Sequence, residues 1–211
     1  MAAFVVANTH LTPAALVPEI RLHLATELTP LWHASEAFLQ ANNMAPPFWA
    51  FSWPGSEALA RYVTDHPELV RGKRVLDFAA GCGLAALACA RAGAAHVEAA
   101  EIDPLAAAAI KLNAEANGLS IEVFLGDIVG ADCRWDVILC GDVCYEAPMT
   151  RHILPWLAAC AGRIPVIIAD PGRKYQPAQR GEILAEITVP TSLELEDSRA
   201  RQVVLFHLPA S

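Results

Sequence analysis

The chain predicts an α/β fold, a mostly parallel sheet with helices on both faces, and three observations carry that expectation. From Arg74 onward, short apolar runs alternate regularly with Ala-rich stretches of helical period. The first run breaks into a glycine turn, VLDFAAGCG (75–83), that feeds a helix. Successive runs then end in acidic residues, at Asp77, Glu101 and Asp127.

Taken in order, the elements are these. Within 14–41, Leu16, Ile20, Leu22, Leu24 and Leu28, then Leu31, Trp32, Phe38 and Leu39, recur at helical spacing on either side of Pro30. Two N-terminal helices are expected. The stretch NNMAPPFWAFSWPGS (42–56) carries two Trp and two Phe, which suits a structured loop better than a linker. A helix is expected from Ser56 to about Val70, with Ser56 as cap and Glu57 in the favourable first turn. Strand 74–78 leads to helix 84–92, stopped by Gly93. Strand 96–100 leads to a helix with Asp103 as cap, Pro104 at its first position and Gly118 just past its end. Strands follow at 121–125 and 135–140, then a helix over 148–161 and a strand at 164–169. A helix near 178–186 and two strands, 187–195 and 200–208, close the pattern. The short polar EDSRA between these strands makes them an antiparallel hairpin at the sheet edge.

A chain of 211 residues suits one core and is short for two. One domain is expected over 1–211: an N-terminal extension with the aromatic loop to residue 55, and a core over 56–211. With 55% hydrophobic and 18% charged residues, a mostly disordered chain is excluded. A net charge of -8 with no Lys/Arg run repels a phosphate backbone, so a nucleic-acid partner is not expected. The six cysteines form no CxxC pair and lack zinc-site His spacing; they read as reduced thiols of a cytoplasmic protein, with no metal. No basic stretch precedes the first apolar run, and no run reaches 18 apolar residues, so neither an export signal nor a membrane span is expected.

In such a sheet a ligand binds at the carboxyl ends of the strands, where strand order reverses. The glycine turn lacks the GK-Ser/Thr of a P-loop. It also holds only Gly81 and Gly83 of a dinucleotide fingerprint, with Asp77 just before them. A carboxylate there repels a pyrophosphate by several kcal/mol or about that order, and suits a cation. S-adenosylmethionine carries a sulfonium and an ammonium and no phosphate, and fits better. Small residues at 79–83, including Ala79, let the backbone approach the ligand. Glu101, 24 residues after Asp77, is placed to accept ribose hydroxyls, which alone suits NAD equally. Asp127 is placed for an adenine amino group, with a plain turn role nearly as good a reading.

Together, VLDFAAGCG, EIDP, GDI and WDVILCGDVCYE resemble the seven-strand S-adenosylmethionine-dependent methyltransferases. The Asp-x-x-Tyr of DVCY is similar to the subgroup that methylates lysines of individual non-histone proteins. Within it, FWAFSWPGSEALARYV, GKRVLDFAAGCG, EIDPLAAAAIKLNAE and ADPGR are similar to the electron transfer flavoprotein β-subunit lysine methyltransferases. The resemblance covers nearly the whole chain and departs from the usual glycine at Ala79. It implies a Rossmann-like seven-stranded methyltransferase sheet with a C-terminal antiparallel hairpin and an N-terminal helical extension. It also implies S-adenosylmethionine as cofactor, S-adenosylhomocysteine as product, and a protein lysine as substrate, in the electron transfer flavoprotein β subunit. Another protein, such as a ribosomal protein, or a small amine stays open, and so does a non-catalytic module that binds the cofactor. A monomer is expected.

The resemblance assigns Asp142, after the fourth strand, to hold the incoming ammonium and Tyr145 to wall the lysine channel; from spacing alone Tyr145 is equally a core aromatic. Trp53 is assigned to lie over the cofactor, with plain core packing as the alternative. Ile102 and Ile128, each beside an acidic strand-end residue, complete the expected cofactor pocket. Arg173 reads as a surface turn or a shaper of the substrate mouth, and His152 as a solvent-side helix residue.

Overall fold

The structure, a computed structural model, describes residues 1–26, 29 and 46–210 of the chain. Its centre is a seven-stranded sheet of β3 (Arg74–Phe78), β4 (His96–Glu101), β5 (Glu122–Leu125), β6 (Val137–Gly141), β7 (Val166–Asp170), β8 (Ile183–Pro190) and β9 (Ala200–His207), in the order β5-β4-β3-β6-β7-β9-β8. The first five are mutually parallel, and β9 runs antiparallel to both neighbours. The chain steps outward from β3 through β4 to β5, then returns to place β6 on the other side of β3. Strand order therefore reverses between β3 and β6, opening a crevice at their carboxyl ends.

The strands read as near-continuous apolar runs because both faces are covered. Along β6 and β7, Val137, Leu139, Ile167 and Ala169 enter one core, and Ile138, Cys140, Val166 and Ile168 enter the other. The first core is closed by α2 (Pro54–Asp65), α3 (Leu84–Arg91) and part of α4 (Pro104–Ala116). The second is closed by α5 (Ala147–Ala161) through Ile153, Leu157 and Cys160. Alanines 85, 86 and 88 are at most 1% exposed, and their small size lets α3 lie close to the sheet. Gly83 caps α3 at φ 80°, with Ile110 packed where a Cβ would project. Asp103 caps α4 as expected, accepting the Leu105 N–H at 2.7 Å.

Four expectations need correction. Of the two helices expected within 14–41, the first is replaced by a two-stranded ribbon, β1 (His10–Pro13) with β2 (Arg21–Leu24), preceded by α1 (Ala2–Asn8). Leu22 and Leu24 are buried while Arg21 is exposed, a period of two that the longer helical window averaged away. The second, over 31–41, lies outside the described residues. Ser56 is not a cap: α2 begins at Pro54, whose fixed φ suits a first helical position, behind Trp53. It ends at Asp65, before Pro67. No helix forms at 178–186; β8 occupies 183–190, where β-branched Ile187, Thr188 and Val189 take backbone partners from β9. The expected strand at 187–195 is thus displaced toward the N-terminus, and α6 (Leu193–Glu196) is a single turn in the β8–β9 connection. No helix among the described residues is long and apolar enough to cross a membrane.

Candidate functional site

A cavity of about 590 Å³ lies at the carboxyl ends of β3, β4 and β6, within the range of small-molecule sites. Its floor is the turn after β3, where Ala79 stands at φ 54° and Gly81 at φ 56°. Three amides of this turn are already engaged. Ala80 N–H donates to Ala100 O, Gly83 N–H to Ala80 O, and Gly81 N–H to Glu101 Oε1 at 2.8 Å. They do not form a free cradle for a phosphate.

Glu101, at the tip of β4, also accepts the N–H groups of Ile102 at 3.0 Å and Asp103 at 3.3 Å. A carboxylate accepts about four hydrogen bonds, so three backbone donors leave it capacity for a ligand hydroxyl. Burial raises its pKa, partly offset by those donors, Gly81 first. Ile102 next to it is 73% exposed and Ile128 is 3% exposed, and both line the cavity.

Asp77 does not line the cavity. It lies beneath the turn, 3% exposed, and accepts the Ala86 N–H of α3 at 2.9 Å. Burial pushes its pKa up to about 8, against the lowering by the Ala86 bond, with the Glu101 charge raising it further. The expected ammonium partner is therefore a buried carboxyl that fixes the glycine turn to the first turn of α3. Gly83 likewise stays outside the cavity, at the α3 cap.

Asp127, just past β5, also lines the cavity and is latched. Its Oδ1 accepts the Val129 N–H at 3.0 Å, and its Oδ2 lies 2.7 Å from His152 Nε2 of α5. The Val129 bond chiefly holds its pKa below the usual value. His152, read from sequence as solvent-side, is half-exposed and also lines the cavity.

At the other end, four aromatic rings form the rim. Trp53 lies 5.9 Å from Phe48 and 6.1 Å from Phe51, and Tyr145 lies 5.4 Å from Phe48. The Trp53 indole donates to Phe48 O at 2.8 Å, fixing its orientation. Phe48 and Tyr145 are 42% and 38% exposed, so neither is a core aromatic. Burial, then the Glu146 and Glu101 charges, raises the Tyr145 pKa and keeps the phenol neutral.

Between rim and turn sits Asp142, 7% exposed, at φ 56°. Its Oδ2 accepts the Gly55 N–H from the start of α2. Its Oδ1 accepts from Arg173, with Nε at 2.8 Å and an ion pair at 2.6 Å. Burial raises its pKa to about 6, opposed first by the Arg173 charge. Arg173 thus belongs to the site: the turn after β7, fixed by its N–H on Asp170 Oδ1 at 2.6 Å, aims it back into the crevice. Its guanidinium carbon also stands 5.8 Å from the Trp53 ring.

The sheet therefore brings Ala79, Gly81, Glu101, Ile102, Asp127, Ile128, Asp142, Tyr145 and Trp53 around one cavity, and leaves Asp77 and Gly83 behind it. Sequence reasoning missed Phe48, Gly55 and the Asp127–His152 pair. Only the aromatic composition of 42–56 pointed that way. Among the described residues no cluster of His, Cys, Asp and Glu could hold a metal ion. The carboxylates on the wall and the engaged turn amides fit a cationic, phosphate-free nucleoside such as S-adenosylmethionine; among the described lining residues Arg173 is the one guanidinium, and it is paired with Asp142.

The family model described as methyltransferase small domain matches residues 51–141. The chain is 38% identical over 176 residues to the human electron transfer flavoprotein beta subunit lysine methyltransferase, covering 81% of this chain and 66% of that one. It is 37% identical over 211 residues to the rat protein of the same name, covering 94% and 80%. The chain thus spans about two thirds of the length of the human relative. Among solved structures, a magnesium protoporphyrin IX methyltransferase from Synechocystis, 15% identical, matches with a TM-score of 0.54, covering 72% of this chain and 78% of that one. That likeness is one of fold.

Proposed function

Because the chain belongs to the electron transfer flavoprotein beta subunit lysine methyltransferase family, we propose that it is an S-adenosylmethionine-dependent protein-lysine N-methyltransferase acting on that beta subunit. The observation that carries the reading is the juxtaposition, in one cavity, of an acidic nucleoside wall at Glu101 and an aromatic rim beside Asp142. The bound cofactor supplies an electrophilic methyl group on a sulfonium; everything else falls to the chain.

Glu101 holds the ribose hydroxyls, and Asp127 with Ile102 and Ile128 receives the base. Asp77 acts one step back, keeping the turn of Ala79 and Gly81 in place through α3. At the rim, Phe48, Trp53 and Tyr145 enclose the lysine stem and exclude water. A lysine has a pKa of about 10.4 in water, and transfer needs its neutral form. An apolar channel lowers that pKa by penalising the charged amine. Asp142, already paired with Arg173, exerts less pull on the proton than a free carboxylate would. It orients the nitrogen through a hydrogen bond rather than stabilising the ammonium, a positioning role. The phenol of Tyr145 contributes its ring face. The six cysteines form no disulfide, which supports a cytoplasmic setting.

The test is to incubate the protein with methyl-labelled S-adenosylmethionine and purified electron transfer flavoprotein, then map any modified peptide. Methylated lysine in the beta subunit is the expected result. Labelling of another protein in a lysate, with none there, would overturn the substrate and leave the chemistry.

A further inference from the structure

Arg173 bonds to two carboxylates, only one of which faces the cavity. Its Nη1 donates to Glu196 Oε2 at 3.1 Å and its Nη2 to Glu196 Oε1, while Nε donates to Asp142 Oδ1. Glu196 lies at the end of α6, in the connection between β8 and β9, and its side chain is 2% exposed. It takes a second guanidinium from Arg201 of β9, with Nε on Oε2 at 2.9 Å, and Arg201 also caps the Glu196 carbonyl at 2.6 Å. Two carboxylates and two guanidiniums thus form a chain from solvent-side Arg201 to Asp142, with Glu196 and Asp142 buried and the charges only partly screened.

We propose that Glu196 is a positioning residue for methyl transfer: by sharing Arg173 with Asp142 it leaves the Asp142 carboxylate only partly paired and free to orient the substrate amine. This rests on the proposed function. Arg201 reaches Oε2 and the backbone carbonyl of Glu196, and the buried Oε1 takes its partner from Arg173. Glu196 gives both oxygens to Arg173, so one guanidinium, in close contact with Asp142 as well, is shared between two carboxylates. The remaining groups facing Asp142 do not offset the coupling. The Gly55 N–H is neutral, burial keeps Cys144 neutral by raising its pKa to about 12, and Tyr145 is likewise held protonated. Asp170 engages its own turn through Gly172 and Arg173 N–H groups. With Glu196 gone, the whole Arg173 charge falls on Asp142, whose pKa Glu196 raises.

The test compares Glu196→Gln with the intact protein in two ways. Carboxyl-carbon NMR follows the titration of Asp142 without any substrate. Its midpoint is expected to fall by about one pH unit in the variant. Turnover on the flavoprotein beta subunit is expected to fall by roughly tenfold in kcat, with cofactor affinity by calorimetry unchanged. Glu196→Asp, which keeps the charge, should restore most of the midpoint. If Glu196→Gln does not fold, Arg201→Gln reads the same coupling with opposite sign, because it leaves Glu196 wholly to Arg173 and raises the Asp142 midpoint. An Asp142 midpoint unmoved in the variants that fold overturns the proposal. If the intact protein leaves the beta subunit unmethylated, the substrate reading fails while the titration still decides this one.

Discussion

Replacing Gly55 by alanine tests the geometry on which the site depends. Gly55 lies in the first turn of α2, pressed against the end of β6. A Cβ there would stand 2.5 Å from Asp142 Oδ2, 2.6 Å from Asp142 N and 2.7 Å from Ala169 O. Two of those three atoms are backbone, so no rotamer change relieves the contact. Overpacking of this kind costs about 1–3 kcal/mol. The displaced Gly55 N–H also gives up its bond to the buried carboxylate, worth about 1.5–3 kcal/mol for a charged acceptor. The expected loss is therefore roughly 2.5–6 kcal/mol. Urea unfolding at pH 7.5 measures it, and methyl transfer should fall further than stability does because Asp142 is the group pushed aside. Placing Asp142→Ala in the Gly55→Ala background should cost less than in the intact protein, since the bond it removes is already broken. A variant within about 0.5 kcal/mol of the intact protein, with undiminished transfer, would show that the α2–β6 approach is not as tight as described.

Three further outcomes follow from the site. Asp77 has a folded pKa near 8 against an ordinary value of 3.8, so its contribution to stability is present at low pH and lost as pH rises through that window. Asp77→Asn should flatten that decline in urea melts of the ligand-free protein between pH 5 and 8, and an unchanged slope would remove Asp77 as its source. Ala79 at φ 54° is strained for an L-residue, so Ala79→Gly should raise stability by up to about 1 kcal/mol with cofactor affinity unchanged or modestly better; a large loss of affinity in calorimetry would contradict the turn geometry. Tyr145→Phe should keep turnover within about threefold, whereas Tyr145→Ala should lose about tenfold or more, and equal losses would move the role from the ring to the hydroxyl.

Much of this was legible in the chain because it is written in local terms. Short apolar runs bounded by turn residues place β3, β4, β6 and β7 within two residues, and Asp103 before Pro104 marks a helix start that the structure keeps. The acidic strand ends were legible for the same reason: strand, turn and helix succeed one another within a dozen residues. The N-terminal ribbon and β8 were not, since each is a strand only by virtue of a partner strand that supplies its hydrogen bonds.

The sequence by itself thus determined the sheet and its acidic strand ends, because backbone propensity acts on neighbours in the chain. Tertiary structure alone decided which carboxylate does what. Asp77 and Glu101 look equivalent as strand-end acids, yet one is buried under α3 and the other opens on the cavity. Asp142 looks like a free carboxylate until the turn after β7 returns Arg173 to it and the β8–β9 connection brings Glu196 to Arg173. These partners lie 31 and 23 residues apart in the chain, and only the packing of the sheet brings their charges close enough to set one another's behaviour.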